Sequence, residues 1–180
     1  MNSGIHSERN RDSYEEVAEG LDLIAQELHP DDWQRLRDIR LASLLDSPEA
    51  FGADFEVMSK FGEQQWREIF DRLSYLVARI DGKDVAVMSI ENLAGDFGAT
   101  CWIGGCWSDP LYRGVGALRA MFDYLDLHAQ TRDWTKQGLG VWMDNYSAIA
   151  AYEKLGFVAM GDPQESTKKP GKFYTRMIRG

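Results

Sequence analysis

Basic residues are in short supply: 20 Lys and Arg stand against 29 Asp and Glu, a formal net charge of −9. A nucleic-acid surface needs the opposite balance, because each contacted phosphate must be neutralised. Nucleic acid is therefore not an expected partner. The balance leans instead towards a cationic partner such as an amine, although most acidic surfaces only keep a protein soluble. Cysteine is scarce, with only Cys101 and Cys106. They form no CxxC pair, and on one strand their odd spacing turns them to opposite faces, away from a mutual disulfide. The three histidines, His6, His29 and His128, are scattered. Without metal-ligand spacing, no metal is expected. No run is long and apolar enough to span a bilayer. The polar start Met1–Asn10 lacks the apolar stretch of a secretion signal. The expectation is a cytoplasmic protein with no membrane partner.

What is present suits one ordinary domain. The 180 residues are 44% hydrophobic and include six Trp, seven Tyr and eight Phe, ample for a core. Residues 1–14 read as a flexible tail, polar and without periodicity, and residues 15–180 as a single domain. Leu21–Leu28 reads as a strand. Pro30, Asp31 and Asp32 then start a helix to about Leu45 that buries Trp33, Leu36, Leu41 and Leu44, with Ser47-Pro48 as its stop. A second helix is predicted over Ser59–Arg72. Three strands follow, Tyr75–Ile80, Val85–Asn92 and Thr100–Trp107, joined by turns at Asp81-Gly82 and Gly95–Gly98. The third carries adjacent glycines, Gly104 and Gly105, a sign of a bulge or close backbone approach. Leu118, Met121, Phe122, Leu125 and Ala129 keep helical spacing, predicting a long helix over Gly114–Arg132. Leu139–Met143 is a strand, Asn145–Leu155 a helix ended by Gly156, and Phe157–Met160 and Phe173–Ile178 are closing strands. The order β-α-α-β-β-β-α-β-α-β-β predicts an α/β (α+β) fold, a mixed sheet flanked by about four helices.

The chemistry concentrates in two segments. In Ser108-Asp109-Pro110-Leu111-Tyr112-Arg113-Gly114-Val115-Gly116-Ala117-Leu118-Arg119 a strand ends, a glycine turn follows and an amphipathic helix begins. Unpaired N–H groups at a helix start bind phosphates, glycines permit close approach, and Arg113 and Arg119 add charge. A P-loop is ruled out because no GxxxxGK follows, and a Rossmann fingerprint because Arg119 fills its third glycine position. The second segment is Asn145-Tyr146-Ser147-Ala148-Ile149-Ala150-Ala151-Tyr152-Glu153-Lys154-Leu155-Gly156-Phe157.

Together the two segments resemble the GNAT acetyltransferases, whose pattern is V-x-P-x-x-R-G-x-G-x-G/A and, further on, N-x-x-A-x-x-x-Y-x-x-x-G-F. Arg113, Gly114, Gly116, Asn145, Ala148, Tyr152, Gly156 and Phe157 fall in place. The resemblance extends over residues 21–178 and implies a mostly antiparallel twisted sheet of GNAT type. It implies acetyl-CoA as cosubstrate and an N-acetyltransferase acting by direct attack of a primary amine in a ternary complex. Backbone amides of Arg113, Gly114, Val115, Gly116, Ala117 and Leu118 would take the pyrophosphate. Main chain at Cys106, Trp107 and Ser108 would pair with the pantetheine arm, Asn145 would contact it, and Tyr152 would present its hydroxyl to the thioester sulfur as general acid.

Two departures stand out. Leu118 replaces the last small residue of the first motif and Ser108 replaces its valine. No general base is apparent; Glu91 and Asp109 are the candidates. Leu118 and the missing base motivate a second reading, an acyl-CoA-binding regulatory module without turnover. Asp46, Glu49, Asp54, Glu56 and Glu63 lie in the segment expected to build the acceptor groove. They suit a cationic small molecule, a polyamine, an aminoglycoside or a protein amine. A homodimer is a further expectation from the resemblance.

Overall fold

The computed structural model describes residues 22–180. The expected tail 1–14 and Leu21 lie outside them. The strands are β1 (Leu23–Leu28), β2 (Ser74–Ile80), β3 (Lys83–Asn92), β4 (Cys101–Ser108), β5 (Gln137–Trp142), β6 (Val158–Glu165) and β7 (Phe173–Arg179). They form one sheet in the order β1-β2-β3-β4-β5-β7-β6. All neighbours are antiparallel except β4 and β5. The Asp81-Gly82 hairpin forms as its residues predict, both at positive φ (49° and 81°).

The helices are α1 (Trp33–Asp46), α2 (Phe55–Met58), α3 (Glu63–Glu68), α4 (Ala117–Leu127), α5 (Ala129–Arg132) and α6 (Tyr146–Lys154). Side-chain alternation along β2 and β3 divides the core between two faces. On one, Leu36, Ile39 and Leu44 of α1 and Trp66 of α3 pack on Val77, Val87 and Trp107. On the other, Met121, Phe122 and Leu125 of α4 pack with Tyr152 and Phe157 on Leu76, Met88, Ile90 and Ile103. Phe122 meets Phe157 and Tyr152 edge-on at 5.5 and 6.5 Å. Each ring buried in this way stabilises the fold by about 2 kcal/mol and holds its neighbours' orientation.

Three expectations need correction. The helix over Ser59–Arg72 shrinks to α3 and a 3-10 turn over Ile69–Asp71, because Gly62 caps α3 and the short α2 ends before Ser59. The helix over Gly114–Arg132 starts at Ala117, since Gly116 sits at φ +92°, and it breaks at His128. There the imidazole Nδ1 lies 2.8 Å from the Tyr124 carbonyl, beside the helix's own ladder. Six α-helices therefore stand among the described residues where about four helices were expected. Third, Cys101 and Cys106 belong to the same face of the sheet, both packing into the α4 side. An extra residue in β4 inverts the parity that the odd spacing implied.

Candidate active site

That extra residue builds the site. Val87 pairs with Trp107 and Ser89 with Gly104, so Met88 alone faces Gly105 and Cys106. Gly105 takes φ +59°, a left-handed conformation that a side chain disfavours. The parallel ladder between β4 and β5 stops at Ile103–Leu139. Beyond it β5 pairs only with β7 and β4 only with β3. The two strands part, and the main chain of Gly104–Ser108 presents an unpaired edge to the gap, a row of donors and acceptors that needs partners.

Two cavities meet in this gap. The larger, about 740 Å³, runs along Cys106, Trp107 and Ser108 to the α4 turn. The smaller, about 260 Å³, is walled by Gly104, Gly105, Trp142 and Tyr174. Phe51, Cys106, Asn145, Ala148 and Tyr152 line both, so these are two ends of one passage through the sheet.

At the larger end, Gly114 and Gly116 hold positive φ and α4 begins at Ala117. The first N–H groups of a helix have no partner within it, so this end of α4 offers donors and a positive dipole to an anion. A Cβ on Gly114 would meet nothing within 4 Å, leaving the turn open. Leu118 packs partly against the core while still lining the cavity. The arginine side chains are engaged elsewhere. Arg113 donates to Asp46 at 2.9 Å and to the Ser108 carbonyl at 3.1 Å, and Arg119 pairs with Asp123. Asp46 also accepts from Ser47 and from Trp107 Nε1. Those two bonds, then Arg113, hold its carboxyl below the usual range. It ties α1, β4 and the turn together.

α6 supplies the remaining walls. Asn145 caps it, accepting from the Ala148 N–H at 3.2 Å and leaving the side-chain amide nitrogen available at the passage. Tyr152 is buried, and it lines both cavities together with Cys106. Burial first, then the Cys106 thiol, raises the phenol well above its ordinary value, so it stays protonated at neutral pH. Burial likewise pushes the Cys106 thiol up to about 11.

Among the described residues the passage walls contain no Asp or Glu. Glu91 lies across from Trp102, away from the gap, beside Arg72 at 3.6 Å. Asp109 accepts from the Leu111 N–H and pairs with Lys83. Neither candidate base faces the passage. Among the residues expected to make the groove acidic, Asp46 is committed as above, Glu49 lies 3.7 Å from Lys169, Asp54 caps α2 and Glu63 holds Arg67. Sequence reading missed Phe51, Trp142 and Tyr174 as walls. It also missed Arg40, buried in the apolar stripe of α1 behind Gly105. The available signal was a charge at the fourth residue after Leu36 on the core-facing side.

Residues 33–157 match the Acetyltransferase (GNAT) family. The chain belongs to the GNAT family. Solved structures of the same fold include a GNAT-family acetyltransferase from Streptococcus pneumoniae, with 17% identity, a TM-score of 0.70, and coverage of 88% of this chain and 98% of that one. A putative acetyltransferase from Salmonella typhimurium, solved with its cofactor acetyl-CoA, has 16% identity and a TM-score of 0.67, covering 87% and 92%. A ribosomal-protein-alanine N-acetyltransferase from Brucella melitensis has 19% identity and a TM-score of 0.64, covering 87% and 98%. Comparison with curated protein sequences gave no significant match. No helix among the described residues is long and apolar enough to cross a membrane.

Proposed function

We propose that the protein transfers the acetyl group of acetyl-CoA to a primary amine by direct attack. The observation that carries this reading is the coincidence, in one passage, of an unpaired strand edge, an anion-ready helix start and a buried protonated phenol. The free amides from Arg113 to Leu118 suit a pyrophosphate. The open edge from Cys106 to Ser108 suits the amide groups of a pantetheine arm, and the side-chain amide of Asn145 adds a donor. The acetyl carbonyl then lies by the bulge, where an N–H can stabilise the oxyanion, typically worth about 3 kcal/mol.

The amine nitrogen bonds to the acetyl carbon, the carbon–sulfur bond breaks, and the sulfur leaves as thiolate. Tyr152 donates a hydrogen bond to that sulfur. Its raised pKa means that the phenol steadies the thiolate and releases its proton only as the amine's proton is returned. With no carboxylate in the walls among the described residues, the amine enters neutral or loses its proton to water. A relay through Cys106 is disfavoured, because a thiol pushed up to about 11 is not a nucleophile at neutral pH. A Cys106→Ala variant should keep its turnover.

Calorimetry with acetyl-CoA and coenzyme A tests the reading. Micromolar binding is expected, abolished in an Arg113→Ala, Gly116→Asp double variant that removes a brace and places a carboxylate at φ +92°. Thiol release with an amine panel then follows, with Tyr152→Phe lowering kcat about 100-fold. Absence of binding in the unaltered chain would sink the proposal.

A further inference from the structure

Among the described residues, Arg40 is a buried charge without a counter-ion. Only 6% of its surface is exposed. Nη1 donates to Ser43 Oγ at 3.3 Å, Nε has no hydrogen-bond partner, and among the described residues no carboxylate pairs with it. A cation taken out of water without a partner is costly, and a guanidinium cannot shed its proton to escape that cost. Its position is not incidental. The Phe51 ring covers it at 5.2 Å. A Cβ on Gly105 would lie 3.0 Å from Nη1 and 3.8 Å from Nη2. Phe51 and Gly105 are both walls of the smaller cavity, so the guanidinium stands directly behind the bulge, at the acceptor end of the passage.

Nη1 is engaged with Ser43 and Nε is sealed from the cavity, so Nη2 is the nitrogen left for an anion, through one charge-assisted hydrogen bond. Basic groups also stand at the rim. Lys169 and Lys172 rest their ammonium groups on the carbonyls of Pro48 and Glu49, 3.7 and 3.9 Å from the Glu49 and Asp144 carboxylates, and Lys168 lies against Gly52. Among the described residues the walls themselves hold no carboxylate.

We propose that the acceptor carries a carboxylate a few atoms from its amine, as α- and β-amino acids do, and that Arg40 binds that carboxylate. The inference rests on the acetyl-transfer reading above and names its substrate class. The short spacing follows from the geometry: the amine must reach an acetyl carbon at the bulge, and the guanidinium lies behind that same bulge across a cavity of about 260 Å³. A polyamine or aminoglycoside would bring further positive charge against an unpaired one. The carboxylate takes no part in bond making; it fixes the amine in place.

The test measures thiol release from acetyl-CoA with a panel of α- and β-amino acids and the carboxamide of each. At least one acid should exceed its carboxamide in kcat/KM by about 100-fold, the discrimination a buried polar group makes against a ligand that leaves it unpaired. Arg40→Met should bring the acids down to the carboxamide level with KM for acetyl-CoA unchanged, and Arg40→Lys should restore part of the preference. Near-ultraviolet dichroism and acetyl-CoA calorimetry check that each variant is folded. Equal rates for acids and carboxamides, or no acid acetylated while acetyl-CoA binds, overturns the inference alone. So does an Arg40→Met variant that slows acids and carboxamides by one common factor, which would put the guanidinium at the thioester instead. Failure of the unaltered chain to bind acetyl-CoA removes the transfer reading and this inference with it.

Discussion

Two arginines divide the molecule into a region that holds its shape and a region that leaves something undone. At the corner of β1 and α5, Arg132 donates to both oxygens of Glu27 at 2.6 and 2.8 Å, donates to Ser74 Oγ, and stacks on Trp134 at 4.4 Å. Trp134 Nε1 in turn donates to Asn92, whose amide donates to the Arg132 carbonyl. The donors and acceptors of this corner are matched with one another. At the bulge of β4, Arg40 is more deeply buried and pairs with no carboxylate among the described residues. The same contrast runs along β4, paired on both sides from Cys101 to Ile103 and on one side only thereafter. Saturated polar networks fix a fold. Unsatisfied groups gathered in a cavity cost stability and are tolerated where a ligand completes them.

The largest effect is expected where a side chain is forced on the bulge. Gly105→Val sets a β-branched residue at φ +59° with its Cβ 3.0 Å from Arg40 Nη1. Strain of that kind costs about 1–3 kcal/mol. The displaced strand edge should lower acetyl transfer about 100-fold, as misplacement of about 1 Å does. Urea denaturation and thiol release measure the two effects. A variant with normal turnover would show that the bulge does not position the reaction.

At the matched corner the effect should fall on stability and leave catalysis alone. Arg132→Met strands the Glu27 carboxylate, whose side chain is 13% exposed. Removing one partner of a fully buried pair costs about 3–5 kcal/mol; with Arg132 itself over a third exposed, about 2 kcal/mol is expected. The folded variant should acetylate at the unaltered rate. Arg40→Met should do the reverse. A methionine of similar reach removes an unpaired charge from an apolar site, so stability should stay level or rise by about 1 kcal/mol. Thermal denaturation of the two variants side by side gives opposite signs if the contrast is real, and the same sign if Arg40 is structural.

Much of the matched region could be read from the sequence, and little of the unmatched one. Asp81-Gly82 announced its hairpin, and the alternation in β2 and β3 follows the period of a strand buried on both sides. The glycine turn and the Asn145-to-Phe157 segment carried the family, because their residue types are demanded by backbone geometry. Arg40 was overlooked because pattern reading counts an arginine as solvent-facing, even on the stripe of Leu36, Ile39 and Leu44. The adjacent Gly104 and Gly105 were read as a bulge signal. Its consequence, that one inserted residue moves Cys106 to the face of Cys101, needs the pairing register. The acidic segment 46–63 gave charge without direction: Asp54 caps α2, Glu63 holds Arg67 and Asp46 holds Arg113, roles that composition does not show.

The smallest expected effect is a pH dependence confined to the matched corner. Burial alone would push the Glu27 carboxyl up, but the Arg132 fork, with Ser74 beside it, outweighs burial and holds it below its ordinary value. A carboxyl depressed in the folded state contributes its full stability above its unfolded pKa, about 4.3. That contribution is lost as pH falls through the folded value, because the unfolded chain takes up the proton first. Glu27→Gln keeps an acceptor for Arg132 and removes the proton. The variant should therefore be less stable than the unaltered chain at pH 7 and should approach it below about pH 4. The comparison must be made as a difference between the two chains, since Asp32 and Asp46 are depressed as well and add the same slope to both. Urea denaturation at pH 7, 5 and 3.5 measures it. Two curves that stay parallel would mean that the Glu27–Arg132 pair is no stronger folded than unfolded, and that the matched corner is held by packing on Trp134 alone.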